Sequence, residues 1–118
     1  MLRVPKTFWL ALEQLVASST LKIDRPRNTP HPKFPELIYP HDYGYLEGTT
    51  AGDGQGIDVW LGTAKEVGVT GICCTVDIFK RDAELKVLLD CSAEDARQID
   101  DFLNLSAELP CIVILRSV

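Results

Sequence analysis

The sequence predicts a small mixed β fold, a β-barrel with flanking helices. Short runs of β-branched and apolar residues alternate with Gly- and Pro-rich turns, and helical periodicity is confined to the two ends of the chain. This order does not favour a βαβ layer fold, in which helices alternate with strands. With 118 residues, the chain is expected to form a single domain, 1–118, with a radius of gyration of about 13 Å.

Two amphipathic helices are expected, one near each end. Apolar residues at helical spacing predict the first helix near 7–18, and Glu13 lies on its polar side. Ser92 followed three residues later by Asp95 is typical of a helix N-cap, and an apolar stripe follows. The second helix is therefore predicted near 93–104.

The barrel itself is predicted over about 21–90. Five prolines between 26 and 40 cannot donate ladder hydrogen bonds, so this stretch is expected to be an extended, ordered loop or edge. Five glycines within 43–56 indicate tight turns. Strand-like runs lie at 57–61, 71–79 and 85–89, with a polar hairpin connection over 79–84 and a terminal strand at 111–115.

Charge and hydropathy exclude two classes of partner. The 12 basic and 17 acidic residues give a net charge of −5, which argues against binding of nucleic acid. No apolar run reaches the roughly 18 residues of a membrane span. The four cysteines form no C-x-x-C pair and are expected to be free thiols in a cytoplasmic protein. We expect a soluble chain that is monomeric or a small homo-oligomer.

Two pairs of aspartates stand out as candidate chemistry. Asp53 and Asp58 lie five residues apart around a glycine-rich turn, and Asp77 and Asp82 have the same spacing around the hairpin. Mg²⁺ is commonly held by one or two carboxylates together with substrate phosphates. The alternative is that these residues cap turns or are solvated at strand ends.

The order of these motifs resembles the signature of the family I soluble inorganic pyrophosphatases. That family reads Y-P-x-N-Y-G-[FY], then D-G-D-P-x-D-V, then a further pair of aspartates five apart. This chain reads Y-P-H-D-Y-G-Y over 39–45 and D-G-Q-G-I-D-V over 53–59, followed by Asp77 and Asp82. The resemblance covers roughly 21–90 and implies an OB-like, five-stranded barrel with helices packed outside.

The resemblance also implies an activity, the Mg²⁺-dependent hydrolysis of inorganic pyrophosphate to two phosphates by a metal-activated water, with Mn²⁺ as an alternative ion. An acidic protein suits this reaction, because metal cations neutralise the substrate. By resemblance, the metal ligands are Asp53, Asp58 and Asp82, and Asp77 acts through water or a further ion. The resemblance implies a catalytic set of Asp53, Asp58 and Asp77. It also implies that Tyr43 lines the phosphate pocket, that Tyr39 supports it, and that Arg25 or Lys22 supplies a basic group.

Three of the departures from the family pattern bear on the activity. Gln55 replaces the middle acid associated with activating the water, so that role would fall to a metal-bound hydroxide or to Asp77. Gly56 replaces the motif's proline, and Glu84 replaces a lysine two residues beyond the hairpin aspartate. These changes support an alternative function, a non-catalytic or redirected relative that binds metal and a phosphate compound. Hydrolysis of an organic diphosphate ester is a third hypothesis.

Several further residues carry weaker expectations. Lys80, Arg81 and Lys86 are candidates to replace the missing lysine, although bases near a hairpin are more typical of solvated surface. His41 is expected in a surface or hydrogen-bonding role. Trp9 and Trp60 are expected in the core or at an interface.

Overall fold

The computed structural model of the protein describes residues 3–117 and contains two α-helices and six strands. A π-helical turn, Phe102–Ser106, continues the second helix. In chain order the elements are α1 (Lys6–Ala17), β1 (Thr20–Arg25), β2 (Asp42–Glu47), β3 (Ile57–Leu61), β4 (Val69–Asp77), β5 (Asp82–Leu89), α2 (Ala93–Asp101) and β6 (Cys111–Leu115).

The strands form one mixed sheet in the order β1-β2-β3-β5-β4-β6. Only β3 and β5 pair in parallel, and all other neighbours are antiparallel. The two outer strands, β1 and β6, do not pair with each other, so the sheet is open. The expected mixed β fold with flanking helices is confirmed, but the five-stranded barrel is wrong, because β6 extends the sheet beyond β4 and the outer strands do not close on each other.

Helix α1 packs against one face of the sheet. Its Trp9 and Leu12 are buried against side chains that include Val59, Ile72 and Val87, whose positions are paired across β3, β5 and β4. Trp9 is only 4% exposed, which confirms that it belongs to the core. The burial of this stripe accounts for the helix, since its N-terminus has no side-chain cap.

Helix α2 and the π-helical turn cover part of the opposite face. Ile99 and Phe102 pack there with Trp60 and Leu88, which are paired across β3 and β5. Because side chains alternate along a strand, Tyr43 on β2 shares this face with its partner Trp60. The sheet thus has an α1 face and an α2 face, and the polar side chains described below lie on the α2 face.

The start of the sheet depends on a glycine. Strand β1 ends just before the proline-rich stretch and is an edge strand, whereas β2 lies largely within the stretch for which glycine turns were expected. Within β2, a Cβ added to Gly44 would lie 1.7 Å from the carbonyl oxygen of Lys22 on β1. The glycine therefore serves close packing of two strands and not a turn. The prolines occupy the connection between them, where Pro30 and Ile38 form an isolated β-bridge.

Among residues 3–117, no helix is both long and apolar enough to cross a membrane. The four cysteines are free; Cys73 and Cys91 are buried, and the other two are half-buried. The capping box predicted at Ser92 is confirmed, with its hydroxyl accepting from the Asp95 N–H at 3.0 Å.

Candidate functional site

A buried lysine is the centre of the polar cluster on the α2 face. The Lys86 ammonium donates to the Tyr43 hydroxyl at 2.7 Å, to Asp58 Oδ2 at 2.9 Å and to Glu84 Oε2 at 3.1 Å. The lysine side chain is 6% exposed. Its burial alone would lower the pKa of Lys86, but Tyr43 and Asp58 together raise it, so the ammonium stays charged.

Strand register explains why these residues meet. Glu84 and Lys86 lie two apart on β5 and so face the same side of the sheet. The parallel pairing of Val59 with Val87 sets Asp58 level with Lys86 on the neighbouring strand. Tyr43 reaches the lysine from β2, one strand further away.

Two cations flank the ring of Tyr43. The Lys86 Nζ lies 5.3 Å from the ring centroid, and the Arg25 guanidinium carbon lies 6.0 Å from it. Arg25 also donates a hydrogen bond to the hydroxyl of Tyr39, which is 4% exposed. Burial raises the pKa of Tyr43 above its ordinary value, so the phenol stays neutral between the two positive groups.

Asp53 reaches the cluster through Glu84. The two carboxyl groups hydrogen-bond to each other, although Asp53 lies on the exposed loop between β2 and β3. The Gln55 N–H, which donates to Asp53 at 2.9 Å, lowers the pKa of Asp53, and the Glu84 carboxyl lowers it further. Burial raises the pKa of Glu84.

The second aspartate pair occupies a different place. Asp77 and Asp82 face each other at the end of the β4–β5 hairpin, where Asp77 accepts hydrogen bonds from the N–H groups of Phe79 and Lys80, both at 3.0 Å. Asp82 lies four residues, or about 13 Å, along β5 from Lys86. In the described part of the chain, no hydrogen bond or ion pair links either aspartate to Asp53 or Asp58. They lie at an open depression of about 370 Å³ on the surface of the hairpin.

The other predicted residues lie around this cluster. Lys22 is exposed on β1, opposite Tyr45. Gln55 is exposed on the loop that carries Asp53. His41 is 1% exposed and hydrogen-bonds to the Gln98 amide oxygen at 2.8 Å, so its role is hydrogen bonding within the interior and not at the surface.

The surface interpretation of Lys86 was wrong, and its alternative role as the replacement for the missing lysine stays a prediction. Sequence reasoning grouped it with Lys80 and Arg81 as hairpin surface; these two are exposed, but Lys86 is among the buried residues. The signal was present in the run Leu85–Leu89, where one lysine interrupts an otherwise apolar strand. A charge at the centre of a buried strand must be paired, and the acid two residues before it identifies one partner.

The carboxylate oxygens of this cluster are potential ligands for a divalent cation. The Lys86 nitrogen lies between the carboxylates of Asp58 and Glu84, so these oxygens already surround a positive charge. Within residues 3–117, no group of three or more His, Cys, Asp or Glu side chains is placed to hold a metal. Mg²⁺ commonly needs only one or two carboxylates beside water and phosphate oxygens. Asp58 supplies one such carboxylate, for which Lys86 is a competitor, while Asp53 lies on the exposed loop.

The fold has a counterpart among solved structures. The chain is similar to an inorganic pyrophosphatase from Coxiella burnetii, with a TM-score of 0.52 and 17% sequence identity over 79% of this chain and 81% of that one. At this identity, the likeness shows a shared fold and not a shared activity. No family model and no curated protein sequence matches the chain.

Proposed function

We propose that the chain hydrolyses inorganic pyrophosphate with Mg²⁺ on the α2 face of the sheet. One observation carries the proposal: Arg25 and Lys86 both lie near the ring of Tyr43, and Lys86 also contacts the carboxylate of Asp58. Cations that could bind phosphoryl oxygens would then lie near a carboxylate that could bind a metal ion. The pyrophosphatase-like fold supports the same reaction class.

Each residue has a role that follows from its position. Arg25 and Lys86 would bind phosphoryl oxygens and neutralise charge on the substrate and the leaving phosphate. Asp58 and Asp53 would hold Mg²⁺, and Asp82 and Asp77 remain predicted ligands at the hairpin. When bound, the metal supplies charge neutralisation and lowers the pKa of a coordinated water. Tyr43 would shape the phosphate pocket, with Tyr39 fixing Arg25 behind it.

Phosphate release from pyrophosphate tests the proposal. We expect the purified protein to release phosphate in the presence of Mg²⁺ and to lose the activity in EDTA. Arg25→Met and Asp58→Asn should each lower the rate by about a hundredfold. Asp101→Asn, a change of the same charge on α2 outside the site, should leave it unchanged. A wild-type rate no higher than that of an Asp53→Ala/Asp58→Ala double variant would overturn the proposal.

A second candidate is binding of metal and a phosphate compound without turnover. Two observations favour it: the amide of Gln55 cannot act as a base, and Lys86 occupies a carboxylate that a metal would need. Calorimetry would then show saturable binding of phosphate with Mg²⁺ while the release assay stays at background. A substrate panel that includes organic diphosphate esters distinguishes a redirected hydrolase from both.

A further inference from the structure

The ammonium group of Lys86 has no free hydrogen-bond donor. Lysine carries three N–H groups, and here they are directed at Tyr43, Asp58 and Glu84 over 2.7–3.1 Å. A phosphate oxygen can bind this group only after one of the three acceptors has been displaced. In its proposed role as a phosphate ligand, Lys86 can therefore bind phosphate only when one of its present partners leaves.

The acceptors differ in how readily they can leave. Tyr43 is packed among the aromatic rings of Tyr39 and Trp60, with its centroid 4.7 Å from that of Trp60. The Asp58 and Glu84 side chains are 27% and 24% exposed, so both carboxylates can turn to a ligand that arrives from solvent. Asp58 is the one of the two that the proposed function assigns to a divalent cation.

We propose that the Asp58–Lys86 ion pair couples the binding of phosphate to the binding of a divalent cation. The cation takes Asp58 and frees one N–H of Lys86 for phosphate; phosphate takes Lys86 and frees Asp58 for the cation. Each ligand thus removes the competitor of the other. This inference rests on the proposed function, because it assigns both ligands to the same site, but it does not require turnover.

Thermodynamic linkage requires that the coupling between Mg²⁺ and phosphate be the same in both directions. If Mg²⁺ tightens phosphate binding by a given factor, phosphate tightens Mg²⁺ binding by the same factor, in the range of about 5–150-fold for typical coupled sites. Direct contact between bound Mg²⁺ and phosphate also produces coupling. The experiment must therefore separate the contribution of the ion pair from that contact.

Variants of the pair give changes of opposite sign in the two ligands. Lys86→Met leaves Asp58 without its competitor, so Mg²⁺ alone should bind more tightly while phosphate binds more weakly. Asp58→Asn releases Lys86, so phosphate alone should bind more tightly while Mg²⁺ binds more weakly. In both variants, the factor by which one ligand tightens the other should fall at least about fivefold.

Isothermal titration calorimetry with MgCl₂ and inorganic phosphate, each titrated alone and in the presence of the other, measures these factors. Lys6→Met on α1 and Asp24→Asn on β1 are matched controls, because both side chains are exposed and their loss removes the same unit charges while the pair stays intact. They should change each affinity less than about threefold and leave the coupling factor at the wild-type value. If Lys86→Met fails to fold, Asp58→Asn alone carries the test.

The outcomes separate this inference from the proposed activity. Coupled binding that is lost in the pair variants supports the inference even when no pyrophosphate is hydrolysed. Independent binding of the two ligands in the wild type, or coupling that survives in both pair variants, overturns the inference even when hydrolysis is observed. Absence of binding by either ligand overturns both.

Discussion

Asp95 shows how one carboxylate organises the junction between the sheet and α2. It is 4% exposed and accepts hydrogen bonds from the backbone N–H groups of Thr63 at 2.8 Å and Ser92 at 3.0 Å, and from the Thr63 hydroxyl. Burial alone would raise the pKa of Asp95, but the bonds from Thr63 and Ser92 lower it to about 2. The ionised form is therefore the one that stabilises the fold.

Replacing Asp95 should destabilise the protein in a pH-dependent way. Its pKa in the folded state lies below the unfolded value of about 3.9, so the stabilisation is present above that value and is lost as the pH falls towards 2. We expect Asp95→Asn to lower the free energy of unfolding by about 2 kcal/mol at neutral pH and by much less near pH 2.

Urea unfolding at both pH values, followed by tryptophan fluorescence, measures the difference. Asp101→Asn is the matched control, because Asp101 is an exposed acid on the same helix that pairs with Arg97; its effect should stay within about 0.5 kcal/mol. A loss of equal size at neutral and acid pH would show that charge on Asp95 is not the stabilising factor.

At the scale of elements, the β1–β2 pair depends on Gly44. An added Cβ would overlap the Lys22 carbonyl oxygen at 1.7 Å, and neither backbone can shift without disturbing the ladder. Gly44→Ala should therefore lower the free energy of unfolding by about 3 kcal/mol or more. Gly52→Ala is the control, because nothing lies within 4 Å of its added Cβ; urea unfolding should show a change within about 0.5 kcal/mol. Equal stability of the two variants would contradict this role.

The elements that sequence predicted are those with a strong local pattern. The observed α1 at Lys6–Ala17 lies within one residue of the expected 7–18, and the strands Ile57–Leu61 and Cys111–Leu115 match their expected bounds. Strand β2 was missed because glycines normally indicate turns, and β1 was expected only as an extended loop or edge. Only tertiary packing shows that Gly44 belongs in a strand.

The site was predicted only in part, for a related reason. Of the residues that local motifs identified, Tyr43 and Asp58 meet at Lys86, whereas Asp53 lies on the exposed loop; their roles stay predictions. The burial of Lys86 depends on strand order, because β5 lies beside β3 and not only beside its hairpin partner β4. A sequence without its topology does not show that neighbour.

At the scale of the whole molecule, the sheet carries a helix on each face and an open strand at each edge. The radius of gyration is 13.6 Å, close to the expected value. Glu13 of α1 joins the first helix to later parts of the chain. Its carboxylate accepts from the Val69 N–H at the start of β4 at 2.7 Å and from the Arg116 guanidinium after β6 at 2.9 Å. One side chain thus links the start, middle and end of the chain.

Removing this link should loosen the attachment of α1 to the sheet. Glu13→Ala leaves the Val69 N–H without its carboxylate partner, so we expect a loss of about 1–3 kcal/mol in the free energy of unfolding and faster hydrogen exchange at the Val69 amide. Arg116→Met should cost less than about 1 kcal/mol, because that ion pair is partly exposed. Gln14→Ala, at the exposed neighbouring position on α1, should change stability by at most about 0.5 kcal/mol. If Glu13→Ala is no more destabilising than Gln14→Ala and leaves the Val69 amide equally protected, α1 is held by its apolar stripe alone.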